Sequence, residues 1–371
     1  MTWTHNFTFL YKFILLIGLP FVHFYCFICS NVFLSTAATD ASGLERLGNQ
    51  LLIPYQYVFT GQTATPTHDP DVPYVLTHKF DYNTDWESRT LCSVILLPQS
   101  IFLGSFCKGI SFLSHEARTR HNLIKKSGES TVVKSNLDHY GKIGMVLSEI
   151  REEIPCLGCC RRAGDENNLK DDKNALKDII AVLEQAHIPY WIDCGTCLGA
   201  YRYGGVIPWD NDIDIAILQP DFDNVKRALN LLDSNRYGVL DWSGRDVPKT
   251  FLKVHVKGTD ILIDIYVYTV DEHNKTLTYS SSNINNIFMS DEFKKRESTY
   301  ITPVPFDMIF PLKKASFDGL EVAVPNRTEE FLKVRYGDNL DPIMIYDVAR
   351  DSYIKDSSHP YWSLLENAGS K

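Results

Sequence analysis

The stretch that most constrains this chain is residues 190–218, YWIDCGTCLGAYRYGGVIPWDNDIDIAIL. A short apolar strand runs into Gly195 and Thr196, and a glycine-rich turn then leads to a second apolar run. Asp212 and Asp214 lie two residues apart at its start, so they share one face of a strand. Two adjacent carboxylates in a low-dielectric interior resist joint ionisation unless a cation neutralises them. The pattern predicts a site for Mg²⁺ or Mn²⁺, which prefer oxygen ligands. A solvated acidic loop is the alternative interpretation.

A second acidic position lies in the apolar run 261–268, ILIDIYVY. A single charge in such a strand, here Asp264, is costly unless it is paired or binds a metal. The preceding run 251–256, FLKVHV, and a short turn predict a hairpin with the strand that carries Asp264. In the simplest register Lys253 lies opposite Asp264, where it would steady the carboxylate or reach a phosphate. A slip by one residue would undo this pairing.

The first stretch resembles the hallmark of the LicD/fukutin family of nucleotidyltransferase-fold phosphotransferases, over about residues 168–345. The matching residues are Gly195, Thr196, Leu198, Gly199, Ala200, Arg202, Gly204, Gly205, Ile207, Pro208, Trp209, Asp210, Asp212 and Asp214. Three residues depart from the pattern: Cys197 replaces a usual Leu, Tyr203 a usual His and Asn211 a usual Asp. The resemblance implies an α+β fold, with a nucleotidyltransferase-like mixed sheet flanked by helices.

The resemblance also implies transfer of a phospho-alcohol group, of the ribitol phosphate or phosphocholine type, from a CDP-activated donor to a glycan hydroxyl. The predicted catalytic and metal-binding residues are Asp212, Asp214 and Asp264. Asp264 is also the expected base. The predicted donor-binding residues are Gly195, Thr196, Arg202 and Lys253, because backbone N–H groups at a helix start and a guanidinium fork bind phosphate. Two alternatives remain: a DxD glycosyltransferase that uses a nucleotide sugar, and a non-catalytic partner in a glycan-processing complex.

The N-terminal region predicts entry into the secretory pathway. Residues 13–34 contain no Asp, Glu, Lys or Arg and are long enough to span a bilayer, with Lys12 before them. They predict a signal-anchor and a type II membrane protein with a lumenal catalytic part, in the Golgi or ER. A cleaved signal peptide and secretion is the alternative. The sequons at Asn274 and Asn326 agree with either interpretation.

The expected organisation is an anchor over 1–35, a stem and accessory region over 36–165 and a catalytic domain over 166–371. Helices are expected over about 169–185, 221–233 and 328–338, and strands over 189–193 and 213–218. The net charge of −9 argues against a nucleic-acid partner.

The nine cysteines leave several interpretations open. Cys156, Cys159 and Cys160 lie close enough in sequence to hold a structural Zn²⁺ with one further ligand. Some fukutin-like relatives are thought to carry a zinc loop at this place. Disulfides, with Cys194 or Cys197 as partners, are the alternative in an oxidising lumen. Cys92 and Cys107 are a candidate disulfide pair in the accessory region.

Overall fold

Two units divide the chain, and each is described by itself. The first contains residues 1–132 and 240–245, and the second contains 133–239 and 246–371. The computed structural model describes residues 18, 20–26, 41, 43–60, 63–66, 73–79, 86–128, 133, 135–147, 152–243, 249–281 and 291–362. The second unit begins at residue 133, so the cysteines at 156–160 belong to it.

The second unit is built on a mixed sheet. Its strands are β3 (Tyr190–Ile192), β4 (Ile213–Leu218), β6 (Phe251–Val256), β7 (Leu262–Asp271), β8 (Thr276–Tyr279) and β9 (Val304–Pro305). Two further hairpins are formed by β10 (Lys313–Phe317) with β11 (Leu320–Val324), and by β12 (Met344–Asp347) with β13 (Ser352–Lys355). Strand β5 (Tyr237–Asp241) lies at the unit boundary.

The order of the central strands is β6, β7, β4, β3. Strand β4 runs parallel to β7, whereas β3 and β6 are antiparallel to their neighbours. β8 extends the far end of β7 in antiparallel pairing. The isoleucines of β4 and β7 on one face are fully buried, because alternate residues of a strand point to opposite sides. The other face of the two strands is therefore free to carry the acidic residues.

Helices flank this sheet, which confirms the coarse prediction of a mixed, helix-flanked sheet. They are α6 (Leu137–Lys142), α7 (Lys170–Gln185), α8 (Cys194–Tyr203), α9 (Phe222–Leu229), α10 (Asp291–Tyr300), α11 (Phe306–Ile309) and α12 (Thr328–Tyr336). The apolar stripe predicted for α7 is buried, with Ala175, Leu176, Ile179 and Leu183 at zero exposure. Helix α9 is shorter than predicted and ends at Leu229, before the turn that leads to Asp233.

The first unit consists of α1 (Gly43–Leu51), α2 (Ile53–Tyr55), β1 (Thr63–Pro66), β2 (Tyr74–Lys79), α3 (Trp86–Gln99), α4 (Ser105–Ser111) and α5 (His115–Gly128). Short π-helical turns, Gln56–Thr60 and Ser100–Gly104, follow α2 and α3. Within the described residues, Leu91–Ser111 is the one helical stretch long and apolar enough to cross a membrane.

Two predictions for this unit can be compared with the structure. Most of the predicted anchor, 13–34, lies outside the described residues, and its described part is helical over 20–26. The suggested disulfide between Cys92 and Cys107 is wrong, because the two residues are not bonded and lie on one continuous helical stretch. Fifteen residues of helix separate them by about 22 Å.

Candidate active site

The site begins at the N-terminus of α8, where β3 ends. Asp193 caps the helix, and its Oδ1 accepts a hydrogen bond of 2.9 Å from the Cys194 N–H. Cys194 has a positive φ of 47°, which a non-glycine residue rarely adopts. The first turn therefore presents Gly195 and Thr196 at the junction of strand and helix, as predicted. N–H groups in a first turn have no acceptor within the helix.

Thr196 joins this turn to the acidic strand. Its Oγ1 accepts a hydrogen bond of 2.8 Å from the backbone N–H of Asp214, and its side chain is buried. The Asp193 N–H donates to the carbonyl of Asp214 at 3.1 Å. Both bonds fix the start of β4 against the start of α8. Thr196 thereby positions Asp214, while its backbone remains part of the helix start.

The fold brings two carboxylates from different strands together. Asp214 pairs directly with Asp264 in the parallel register of β4 and β7, and both residues are almost completely buried. Asp212 precedes the first residue of β4 and is exposed, at the open end of this pair. The three predicted metal ligands therefore lie at one edge of the sheet.

Asp210 is a fourth carboxylate at this edge and was not among the predicted site residues. A Cβ added to Gly195 would lie 2.6 Å from Asp210 Oδ2, so a larger residue here would displace the Asp210 carboxylate. Burial, together with the negative charge of the neighbouring Asp212, raises the pKa of Asp210 to about 6. The alternation of Asp210 with Asp212 and Asp214 was the sequence signal for this residue, but its packing against Gly195 is a tertiary contact.

The buried acids also have raised pKa values. Burial raises the pKa of Asp214 well above its usual range, and Asp212 and Asp264 add to the shift through their negative charges. Burial likewise raises the pKa of Asp264 to about 6, although Lys253 opposes the shift. The uncompensated negative charge of the cluster thus favours either protons or a cation.

Lys253 is the cation that lies against this cluster. The register places it opposite Asp264, as the sequence predicted, and its Nζ lies 2.6 Å from Asp264 Oδ1. Its Nζ also lies 5.1 Å from the centre of the Phe251 ring. The ion pair offsets the charge of Asp264, whereas no cation pairs with Asp214 among the described residues. Oδ1 of each acid is buried without a hydrogen-bond partner in this part of the chain.

The donor atoms suit a hard divalent cation. Carboxylate oxygens are the ligands that Mg²⁺ and Mn²⁺ prefer, and a buried oxygen without a partner is costly unless a ligand satisfies it. Asp214 Oδ1 is such an oxygen. Within the described ranges, however, no three His, Cys, Asp or Glu side chains already stand close enough together to enclose an ion. The residues therefore fit the ion by the chemistry of their donor atoms.

Arg202, predicted to bind a phosphate, lies at the opposite end of α8. Its guanidinium is buried and donates to the carbonyls of Leu340 at 2.6 Å and Asp341 at 2.8 Å. An arginine committed in this way stabilises the fold, because it satisfies carbonyls that would otherwise be buried without partners. Arg202 is therefore not among the proposed contacts for the donor phosphate.

The predicted zinc or disulfide segment contacts the same end of α8. The N–H groups of Leu157 and Cys159 donate to the carbonyls of Tyr201 and Arg202. These carbonyls lie in the last turn of the helix, where no helical N–H group is available to them. Cys156 and Cys160 are exposed, and no disulfide joins any two cysteines among the described residues. Neither the grouping that zinc needs nor a disulfide is present in this part of the chain.

Asp318 is a second buried acid that sequence reasoning did not single out for the site. It follows β10 and accepts hydrogen bonds from Arg161 at 2.5 Å, from Lys173 at 3.0 Å and from the Val206 N–H at 3.0 Å. A Cβ on Gly205 would lie 1.9 Å from Asp318 Oδ1. Asp318 therefore holds the Gly-Gly turn that leads from α8 to the acidic strand.

A buried hydrogen-bond chain supports the other side of the helix start. Tyr268 donates to Asp193 Oδ2 at 2.6 Å, and Arg335 of α12 donates to the Tyr268 hydroxyl at 3.0 Å. Burial raises the pKa of Asp193, and the positive charge of Arg335 and the hydrogen bond from Tyr268 partly oppose this shift. Helix α12, which the sequence predicted over about 328–338, thus holds the cap of α8.

Comparison with known proteins agrees with this geometry. Residues 187–327 match the family model described as LicD/FKTN/FKRP, nucleotidyltransferase domain. The resemblance to the LicD/fukutin family is confirmed. This LicD-type domain contains the helix start, all four acids, Lys253 and Asp318.

Three relatives illustrate the similarity. The chain is 26% identical over 199 residues to the human ribitol 5-phosphate transferase FKRP, which covers 53% of this chain and 35% of that protein. It is 24% identical over 176 residues to the mouse ribitol-5-phosphate transferase FKTN, covering 45% and 32%. An uncharacterized protein of Rickettsia prowazekii is 26% identical over 151 residues, covering 41% and 48%. The matched segment thus spans between a third and a half of each relative.

Proposed function

We propose that this protein is a metal-dependent phosphotransferase. It transfers a phospho-alcohol group, of the ribitol phosphate or phosphocholine type, from a CDP-activated donor to a glycan hydroxyl in the secretory pathway. The observation that carries the proposal is the pairing of Asp214 with Asp264 on parallel strands inside a LicD-type domain. Two relatives of that domain are named ribitol-phosphate transferases, which supports the choice of reaction.

In this proposal Asp212, Asp214 and Asp264 hold Mg²⁺ or Mn²⁺, and Asp210 lies beside them. A divalent ion at such a site neutralises the charge that develops on a leaving phosphate. The chain itself contributes a buried and rigid position for Asp214, fixed through Thr196. Phosphoryl transfer depends mainly on positioning and charge neutralisation, so this rigidity is a direct contribution to the rate.

The start of α8 is the proposed contact for the donor phosphate. Gly195 has no side chain to block an approach, and the N–H groups of the first turn point out of the helix. The positive end of the helix dipole adds to the attraction for an anion. Lys253 is the second proposed phosphate contact, because its ammonium lies at the edge of the acidic cluster.

Asp264 is the proposed general base. Its pKa of about 6 leaves it ionised near neutral pH and still basic enough to accept a proton from an acceptor hydroxyl. The ion pair with Lys253 holds one oxygen at 2.6 Å and so orients the carboxylate. Asp214, which lacks such a partner, is the better ligand for the cation.

The test is nucleotide release by the purified chain with Mn²⁺ and a panel of CDP-alcohols and UDP-sugars. We expect CMP release with one CDP-alcohol and its loss in Asp214→Ala. Asp260→Ala is the matched control, because Asp260 is an exposed acid in the turn before β7. Release of UDP from a nucleotide sugar would instead favour the glycosyltransferase. No release and no Mn²⁺-dependent nucleotide binding would favour the non-catalytic partner.

The two sequons offer a test of the proposed secretory location. Asn274 is exposed in the turn between β7 and β8, whereas Asn326 is half-buried and its partner Thr328 is buried, donating to the Pro325 carbonyl at 2.6 Å. In secretory expression we expect Asn274→Gln to remove one glycan and Asn326→Gln to change nothing. A chain without any glycan at Asn274 would contradict a lumenal catalytic part.

A further inference from the structure

The helical stretch Leu91–Ser111 has an inverted distribution of side chains. Its large apolar residues point outward, with Phe102 at 78% and Phe106 at 64% exposure, and the nearby Leu113 at 81%. The buried side carries mainly small residues: Cys92, Ser93, Ser100, Gly104, Cys107 and Ser111. A core helix of a water-soluble domain shows the reverse. Small residues inside and large apolar residues outside are typical of helices that pack in lipid.

The contacts on the inner side depend on these small residues. A Cβ on Gly104 would lie 3.0 Å from Leu52, and the Tyr55 N–H donates to Ser100 Oγ at 3.1 Å. A Cβ on Gly48 of α1 would lie 2.8 Å from the backbone nitrogen of Lys108. The inner face is therefore already occupied by α1 and α2. The outer apolar face is what remains to be covered.

The same helix packs beside the predicted membrane anchor. Cys26 is buried against Cys92 and Leu96, whereas Phe21 at 70%, Phe24 at 62% and Tyr25 at 60% are exposed. The two neighbouring helices both carry large apolar side chains on their exposed surfaces, so we expect the same surroundings for both. An exposed apolar surface of this extent is not tolerated in water without a partner.

The charges that follow the helix indicate which kind of surface covers it. Arg118, Lys125 and Lys126 of α5 are exposed, and that helix has one acidic residue, Glu116. A basic helix directly after an apolar one attracts anionic lipid headgroups. The outer face and the basic helix together fit an anionic bilayer better than a protein partner.

An ion-pair cluster joins α1, which precedes the stretch, to the C-terminal end of the stretch and to α5 beyond it. Glu45, before it, is buried and pairs with Lys108 at 3.2 Å and with Arg120, after it, at 2.5 Å. Asn49 also accepts a hydrogen bond of 2.6 Å from Lys108. Glu45, before the stretch, is paired with Arg120, beyond it, so both residues lie on the same side of a bilayer. A single crossing of the bilayer by the stretch between them would separate the two residues, and the ion pair therefore argues against it.

We propose that the outer face of residues 91–113 is seated in a bilayer containing anionic lipid, beside residues 20–26, and lies along its surface without crossing it. The first unit is then a membrane-docking module in addition to the predicted anchor. This proposal does not depend on the catalytic function.

The first test is photo-crosslinking of the full chain in vesicles of phosphatidylcholine and phosphatidylserine. A benzophenone amino acid replaces Phe102 or Phe106, with Phe21 as the reference in the predicted anchor. Tyr361, an exposed aromatic of the second unit, is the control. We expect lipid adducts at Phe102 and Phe106 several-fold above those at Tyr361, and a lower yield without phosphatidylserine. Yields equal to Tyr361, or adducts to protein alone, would overturn the proposal.

The second test addresses the orientation. Arg46→Cys and Arg118→Cys place thiols at exposed positions before and after the stretch. In sealed microsomes carrying the full chain, an impermeant maleimide should label both or neither above the background of the parent chain. Labelling of one alone would show that the helix crosses the bilayer and would overturn the surface geometry.

Discussion

The buried carboxylates at the two ends of helix α8 differ in how fully they are hydrogen-bonded. At the C-terminal end, Asp318 accepts bonds from two cations and one backbone N–H, and its side chain is satisfied. At the N-terminal end, Asp214 is also buried, yet one of its oxygens has no hydrogen-bond partner in the described chain. Burial raises the pKa of both acids, but only around Asp318 do donors outweigh burial and lower the pKa.

The difference separates a structural acid, Asp318, from the acid that we propose to be functional, Asp214. A buried carboxylate that stabilises a fold is paired, since an unpaired buried charge costs free energy of folding. A carboxylate left without a partner lowers stability, and this is tolerated where a ligand supplies the missing interaction. The four predictions below test this comparison.

The largest expected effect is on the free energy of unfolding. Asp318→Ala leaves Arg161 and Lys173 without their buried partner, and we expect a loss of about 3–5 kcal/mol. Urea unfolding at neutral pH measures it. The control is Asp356→Ala, an acid whose side chain is bonded only to Ser358. Equal stability of Asp318→Ala and the parent chain would remove the structural side of the comparison.

Asp214→Asn should lower activity without lowering stability, the reverse of the emphasis at Asp318. We expect activity to fall at least about 100-fold, or roughly 2.7 kcal/mol in transition-state free energy. Stability without metal should be unchanged or higher, because the variant removes a buried charge that has no compensation. Nucleotide release and urea unfolding on the same preparation decide this. Destabilisation as large as that of Asp318→Ala would make Asp214 a structural acid as well.

Lys253→Met should lower activity less than Asp214→Asn does, and it tests the role of the ion pair with Asp264. The methionine keeps the apolar stem beside Phe251 and removes the charge, and we expect activity to fall about 10–100-fold. Because Lys253 lowers the pKa of Asp264, the acidic limb of the pH–rate profile should also move to higher pH. Lys257→Met, in the exposed turn, is the control. An unmoved profile would argue against Asp264 as the base.

The smallest expected effect, on the order of 1 kcal/mol, is the pH dependence of stability without metal. The pKa of Asp318 is lowered on folding, so its contribution is present above its unfolded pKa near 4 and is lost as pH falls further. Asp210 and Asp264 have folded pKa values of about 6, so the folded state binds more protons between pH 4 and 6.

Stability should therefore fall as pH rises from about 4 to about 6, and the Asp210→Asn/Asp264→Asn double variant should flatten that slope. The advantage of the parent chain over Asp318→Asn should instead shrink only below about pH 4. Unfolding in the presence of EDTA at several pH values measures both. The same slope in all three proteins would show that the two acidic sites do not differ.

Much of the second unit could be predicted from local patterns. Alternation within 213–218 and 261–268 indicated which residues face the core, and the hairpin length predicted that Lys253 lies opposite Asp264. Helical spacing predicted α7 correctly to within one residue at its start. These features depend on neighbours within one element or one hairpin, so the sequence contains what is needed to infer them.

Long-range polar partners could not be predicted in the same way. Arg202 stands in a motif that suggests phosphate binding, but its guanidinium meets carbonyls 138 and 139 residues away. Cys92 and Cys107 suggested a disulfide, and one continuous helical stretch keeps them apart. A side chain with several hydrogen-bonding options takes its partner from whatever the fold places nearby, and local sequence does not specify that partner.

The sequence by itself determined the elements of this site: the glycine at a helix start, the acids on alternate positions of a strand, and a lysine one hairpin away. The tertiary structure decided how they meet. Parallel pairing sets Asp214 beside Asp264, and Asp210 folds back onto Gly195. It also decided which buried acid is compensated, because the cations near Asp318 come from residues 145 and 157 positions earlier in the chain. Periodicity fixes the face on which a side chain lies, whereas its electrostatic environment is the sum over all elements packed around it.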